Sequence, residues 1–73
     1  MYEESETGIV KWFDEEKGFG FITRQNNSDM FVHYTGILGQ GRRSLLEGQL
    51  VSFIVRNSQK TGKPNAEEVE VLA

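Results

Sequence analysis

Several features that often indicate a function are missing from this sequence. Its 73 residues include no cysteine and only one histidine, which excludes a disulfide framework and a thiolate metal site. No stretch approaches the roughly 20 apolar residues of a membrane span. The remaining titratable residues form no convergent catalytic set, so we expect a protein that is not an enzyme and that uses no cofactor, metal or membrane. The length allows one small domain with one modest core.

Basic charge is also scarce. Eight lysines and arginines against eleven acidic residues give a net charge of −3, whereas nucleic-acid-binding domains are often basic. The distribution matters more than the sum, because six of the eleven acids lie near the chain ends: Glu3, Glu4, Glu6, Glu67, Glu68 and Glu70. Segment 1–6 has neither the basic end nor the apolar run of a secretory signal. We expect a flexible acidic tail over 1–6, one domain over 7–73, and a cytoplasmic location.

What the chain does contain is a series of short segments with strand character. Segments 7–13, 17–22, 29–34, 49–57 and 65–72 are rich in β-branched and aromatic residues and are separated by turn-forming stretches. No segment shows the 3.6-residue apolar period of a helix. The sequence therefore predicts an all-β domain. The expected core-facing residues of its last two strands are Val51, Phe53, Val55, Ala66, Val69 and Val71.

The second of these strands pairs large aromatic residues with glycine. Successive side chains of a strand point to opposite faces, so Phe19 and Phe21 share one face, and Gly20 and Ile22 share the other. Glycine inside a strand costs stability and packs against nothing. The sequence nevertheless keeps glycine in this strand, and the two phenylalanines lie side by side on the opposite face.

The third strand indicates which face is exposed. Phe31 and His33 share one face, and Met30 and Val32 lie on the other. Burying a lone imidazole is expensive, whereas methionine and valine bury readily, so we expect Phe31 and His33 to face water. The polar connection at 25–29 favours a hairpin between the two strands. Pairing then gives one exposed aromatic surface, formed by Phe19, Phe21, Phe31 and His33.

An exposed apolar surface of this size needs a partner. Planar rings flanked by Lys11 and Lys17 suit stacking on unpaired bases. Two alternatives remain. The phenylalanines could be core residues, which would leave Ile22 and Val32 outside. The aromatic surface could also belong to an adaptor domain that binds a protein.

The segments just described also carry a family resemblance. Lys17-Gly18-Phe19-Gly20-Phe21-Ile22 and the following Phe31-Val32-His33 strand resemble the two ribonucleoprotein motifs of the bacterial cold-shock proteins. Segments 8–13 and 45–53 resemble the first and fourth strands of that family, and the similarity runs from about Thr7 to Val71. The resemblance implies a five-stranded antiparallel barrel of the oligonucleotide-binding type. It also implies a protein that binds single-stranded RNA and DNA and keeps RNA unpaired.

The first strand gives an ambiguous pattern. Strict alternation puts Lys11 on one face and Trp12 on the other, and because lysine is rarely buried, Trp12 would point into the core. The resemblance instead places both residues at the nucleic-acid surface. A bulge after Val10 would reconcile the two, since an extra residue redirects the side chains beyond it.

The resemblance and the alternation together define a candidate site. The expected nucleic-acid-binding residues are Lys11, Trp12, Lys17, Phe19, Phe21, Phe31, His33, Tyr34, Arg42 and Lys63. Arg42 stands where many family members carry an aromatic residue, and its guanidinium can stack and contact phosphate; a plain solubilising role is equally open. Asp14 stands where asparagine is common, and its charge should repel phosphate or weaken a base contact. We expect a monomer rather than a dimer.

Four apolar residues stand where the family tends to be polar: Leu38, Leu46, Leu50 and Ile54. Alternation places Leu50 and Ile54 in the outward row of strand four. The four residues could form a second apolar patch that binds a partner. They could instead form a satellite cluster that seals the long loop after strand three against the barrel.

Overall fold

The computed structural model describes residues 4–39 and 44–73, and it shows a closed barrel of five strands. These are β1 (Glu6–Asp14), β2 (Phe19–Arg24), β3 (Asp29–His33), β4 (Leu50–Asn57) and β5 (Pro64–Val71), joined in the order β1-β2-β3-β5-β4. The predicted five-stranded all-β barrel is confirmed. Four of the five strand pairs are antiparallel as expected, whereas β3 and β5 run parallel. No helix in the described part is long and apolar enough to cross a membrane.

Most strand ends lie one or two residues from the predicted ones, and the difference has an identified cause at two places. β1 begins at Glu6, one residue inside the expected tail, because Glu6 pairs with Phe53 of β4. The Nε atom of Arg24 also donates a hydrogen bond to the Glu6 carboxylate at 2.8 Å, and this hydrogen bond raises the pKa of Arg24. At the other place, Tyr34 is not the end of β3 but begins a single 3-10 turn.

The core lies where period-two alternation places it in β2 and β3. Ten buried side chains form one cluster: Val10, Ile22, Met30, Val32, Ile37, Leu45, Val51, Phe53, Ala66 and Val69. Burying each large apolar side chain contributes about 1.5–3 kcal/mol. The phenylalanines of β2 and of β3 are therefore not core residues. Gly20 lies on the core side of β2, where an added Cβ would meet the carbonyl oxygen of Trp12, so this close approach of β1 and β2 requires glycine.

A bulge interrupts β1 between Val10 and Trp12. Val10 pairs with Ile22 and Trp12 pairs with Phe21, so Lys11 is the extra residue. Val10 is 1% exposed, whereas Trp12 is 38% exposed. The bulge thus sends Lys11 and Trp12 to the outside together, and the alternative of a core Trp12 is wrong.

A second register shift lies in the pairing of β4 with β5. Ser52 pairs with Glu70 but Ile54 pairs with Glu67, so β5 contributes one more residue than β4 between these points. Glu68 takes a left-handed backbone conformation there, with φ of 51°. Ile54 is buried at 7% exposure, and Val71 is 42% exposed. The prediction of an inward Val71 is therefore wrong, and Ile54 is buried although it lies outside the core cluster.

The long connection after β3 is attached to the barrel at both of its described ends. Ile37 bridges Val69 of β5, and Leu45 is buried in the core cluster. Leu38 and Leu46 remain exposed, at 54% and 69%. Because these two leucines are exposed, the alternative in which all four residues form a buried satellite cluster does not hold, and only Ile54 of the four is buried.

Candidate nucleic-acid interface

Three adjacent strands bring the aromatic residues onto one surface of the barrel. In the strand ladders, Trp12 lies opposite Phe21, Phe21 opposite Phe31, and Phe19 opposite His33. Directly paired residues of antiparallel strands point to the same side. The aromatic face, as we call it, consists of Trp12, Phe19, Phe21, Phe31 and His33.

The rings of the aromatic face touch one another without being buried. Phe19 and Phe31 stack with ring centroids 5.7 Å apart and an interplanar angle of 29°. Phe21 meets Phe31 edge-on at 5.7 Å, and Trp12 meets Phe21 at 5.5 Å. The phenylalanines are half-buried and Trp12 is exposed. Each ring is thus fixed by its neighbours while part of its surface stays open to water.

One edge of the aromatic face is extended by Tyr34. Its ring centroid lies 4.6 Å from that of His33, and Tyr34 is 46% exposed. The Tyr34 amide donates to the Gly18 carbonyl oxygen at 2.8 Å. Gly18 has a φ of 81°, and a Cβ there would lie 2.8 Å from the Tyr34 ring. The tight turn before β2 therefore positions Tyr34.

That turn is closed by Asp14. Its Oδ1 atom accepts hydrogen bonds from the backbone amides of Glu16 and Lys17, at 3.0 and 3.1 Å. Its carbonyl oxygen accepts from the Gly18 amide at 2.7 Å. Asp14 is half-buried and lies directly opposite Phe19 in the ladder between β1 and β2. A carboxylate therefore lies beside the aromatic face.

Positive charge surrounds the aromatic face only in part. Lys17 is exposed in the turn before β2, and Lys63 is exposed in the connection between β4 and β5. Lys11 Nζ forms a salt bridge with Asp29 Oδ2 at 2.9 Å. Exposed pairs of this kind contribute about 0–1 kcal/mol, so an arriving phosphate can replace Asp29 at modest cost.

A groove continues from the aromatic face toward the connection between β4 and β5. It has a volume of about 1090 Å³, large enough for a nucleotide. Its walls include Phe31, His33, Lys60, Lys63 and Pro64. Part of the aromatic face and two lysines of the connection between β4 and β5 therefore border one concave surface.

The structure brings most of the predicted site residues together. The five residues of the aromatic face and Tyr34 are contiguous, and Lys11, Lys17 and Lys63 are exposed. Arg42 lies outside the described residues. Sequence reasoning missed Asp29, although alternation from Phe31 and His33 places it on the same side of β3. Among the described residues, no group of three or more His, Asp or Glu side chains could hold a metal ion.

Comparisons with known proteins identify the family of the chain. Residues 6–72 match the family model of the 'Cold-shock' DNA-binding domain. The chain is 55% identical over 67 residues to cold shock protein CapB of Pseudomonas syringae pv. tomato, covering 92% of this chain and 94% of that protein. Identity to the major cold shock protein CspA of Pseudomonas aeruginosa is 52% over 67 residues, with the same coverage.

A solved structure shows the same architecture. The structure described as Drosophila Unr CSD456 superposes with a TM-score of 0.71 at 27% identity, and the match covers 97% of this chain and 28% of that one. The family model extends over nearly the whole barrel, from β1 to the residue after β5. The chain belongs to the cold-shock domain family.

Proposed function

We propose that this domain binds single-stranded RNA and DNA by stacking unpaired bases on the aromatic face, and that it acts as an RNA chaperone. The observation that carries the proposal is the row of open rings across β1, β2 and β3. These rings lie on the side away from the core, so the fold gains little by placing them there. A ring presents its surface to any base, which suits a binder with modest sequence preference.

Stacking gives enough energy for this role. Each stacked base contributes about 1–3 kcal/mol, and three or four of them support micromolar or tighter binding. Lys11, Lys17, Lys63 and Arg42 are the proposed phosphate contacts. With so few cations, the rings rather than a wide electrostatic field supply most of the affinity.

The same physics gives the chaperone activity. Stacking energy is available only to bases that are not already paired and stacked in a duplex. The domain therefore shifts hairpins toward their open forms by mass action, without ATP and without catalysing a reaction. We propose that it does so as a monomer in the cytoplasm, where RNA is its substrate.

A fluorescence titration tests the proposal directly. Trp12 is the only tryptophan, so quenching by a short single-stranded oligonucleotide reports on the aromatic face itself. We expect quenching by single strands at micromolar concentration and much weaker binding of the corresponding duplex. Ile9→Ala is the matched control, because Ile9 is an exposed apolar residue outside the aromatic face and should leave affinity unchanged. Equal affinity for duplex and single strand would contradict the mechanism, and no binding of either would favour the protein adaptor.

A further inference from the structure

The ring of His33 is held on one side by the residue two positions further along the chain. The Nδ1 atom of His33 lies 2.9 Å from the hydroxyl oxygen of Thr35 and 3.4 Å from its backbone nitrogen. The contact with the backbone nitrogen caps the 3-10 turn Tyr34–Gly36, which His33 immediately precedes. Helix caps most often come from Ser, Thr, Asp or Asn, so an aromatic ring here takes the place of a small polar side chain.

These two contacts determine which ring nitrogen of His33 carries the proton. A backbone amide can only donate a hydrogen bond, so Nδ1 accepts the bond from the Thr35 amide. A nitrogen that accepts carries no proton, and the Thr35 hydroxyl, which can donate or accept, must then donate to Nδ1 as well. The hydrogen bond at one ring nitrogen fixes the state of the other. In the neutral imidazole the proton therefore lies on Nε2.

The opposite nitrogen of the ring is open to water. Within residues 4–39 and 44–73, no side chain or backbone group forms a hydrogen bond with His33 Nε2. No partly buried side chain in these ranges hides an unpaired nitrogen or oxygen from solvent, so Nε2 is accessible. His33 and Thr35 both line the groove beside the aromatic face. The ring thus keeps one hydrogen-bond donor accessible at the wall of that groove.

Tyr34 contacts the His33 ring from a second direction. The two ring centroids are 4.6 Å apart, with an interplanar angle of 39°. A stacked neighbour limits the tilt of an imidazole, but it does not distinguish the two flipped orientations, which differ mainly in their hydrogen bonds. The contact with Thr35 makes these orientations different in energy, and it favours the one with Nδ1 beside Thr35.

We propose that Thr35 is a positioning residue of the aromatic face, which holds His33 in one ring orientation and one tautomer before a strand binds. Thr35 acts through His33 rather than by touching the nucleic acid. A ring that is already ordered loses less rotational freedom on binding, and this loss otherwise weakens affinity for each side chain that becomes immobilised. The effect of Thr35 on affinity rests on the proposed stacking function, whereas its effect on the tautomer does not.

Nitrogen NMR of the imidazole tests the tautomer in the absence of ligand. His33 is the only histidine of the chain, so its two ring nitrogens are identified without ambiguity. In mildly alkaline buffer, where an imidazole is neutral, we expect Nδ1 to resonate as an unprotonated nitrogen and Nε2 as a protonated one. Thr35→Val keeps only the longer amide contact and should move both signals toward the average of the two tautomers. Thr35→Ser keeps the hydroxyl and should match the wild type.

A double-mutant cycle tests whether the effect on binding passes through His33. We expect Thr35→Val to bind a single-stranded oligonucleotide about twofold to tenfold more weakly in a Trp12 fluorescence titration. In a His33→Ala background the same substitution should cause no further loss, since the group that Thr35 positions is gone. Thr7→Val is the matched control. It removes a hydroxyl that accepts from Gln25 Nε2 at 2.6 Å, on a strand that does not line the groove, and should leave affinity unchanged.

The outcomes separate this inference from the function beneath it. A wild-type His33 with its proton on Nδ1, or with the two tautomers mixed, overturns the positioning role whatever the affinity. Wild-type affinity in a folded Thr35→Val variant also overturns it. An equal loss in the His33→Ala background shows that Thr35 contacts the strand directly, and overturns it too. If the folded wild-type protein shows the expected tautomer but binds no single strand, the stacking function fails, and the role of Thr35 in binding fails with it.

Discussion

Phe31→Ala tests whether the aromatic face serves binding rather than folding. Phe31 lies at the centre of the face, stacked on Phe19 and meeting Phe21 edge-on, both at centroid distances of 5.7 Å. Truncation removes one stacking surface and leaves the buried cluster intact, because Phe31 points away from Met30 and Val32. It should therefore weaken binding far more than it weakens the fold.

The expected magnitudes follow from these contacts. Loss of one stacked base costs about 1–3 kcal/mol of binding free energy, which corresponds to an affinity about 5-fold to 150-fold weaker. The two ring contacts are worth about 0.5–1.5 kcal/mol each, so we expect the free energy of unfolding to fall by about 1–3 kcal/mol. Phe53 is fully buried, and Phe53→Ala should cost about 3–5 kcal/mol instead.

Two measurements on the same variants decide the matter. Trp12 fluorescence titration with a single-stranded oligonucleotide gives the affinity, and urea unfolding gives the free energy of unfolding. Phe53→Ala serves as the folding control. If Phe31→Ala lost as much stability as Phe53→Ala while its affinity stayed at the wild-type value, Phe31 would be a core residue and the site assignment would be wrong.

Two further predictions concern the salt dependence of binding and the burial of Ile54 in β4. Affinity for single strands should fall with salt at a log–log slope of about −0.7 per phosphate neutralised, so two to four contacts give a slope of about −1.4 to −2.8. A titration series in KCl measures this slope, and a slope near zero would contradict the phosphate contacts. Ile54→Asp should strongly destabilise the barrel in urea unfolding because it buries a charge, whereas Leu46→Asp should change little at a 69% exposed position. Equal effects of the two would show that the burial of Ile54 contributes nothing.

The parts of the fold that alternation alone describes were predictable. β2 and β3 pair without a register shift, so period two correctly placed Ile22 and Val32 inside and the phenylalanines outside. The hairpin connection between them was also predictable, because its residues are strong turn formers. For the candidate site, this means that the central rings could be found from sequence.

What alternation could not supply is the position of the irregularities. The bulge that turns Trp12 outward came only from the family resemblance, since a bulge has no periodic signal. The shift in β5 at Glu68 was missed, and with it the exposure of Val71. The parallel pairing of β3 with β5 is a contact distant in sequence, which no local pattern encodes.

The alternation of ring and core residues within β2 and β3 also restricts how this surface can evolve. One-residue insertions or deletions in either strand would exchange the two sets, sending the rings into the barrel and the core residues into water. Substitution at a fixed length is therefore the accessible route to a new base preference along these strands. The connection between β4 and β5 is under no such constraint. Differences in length between relatives should therefore occur in that connection, while the spacing of the rings stays the same.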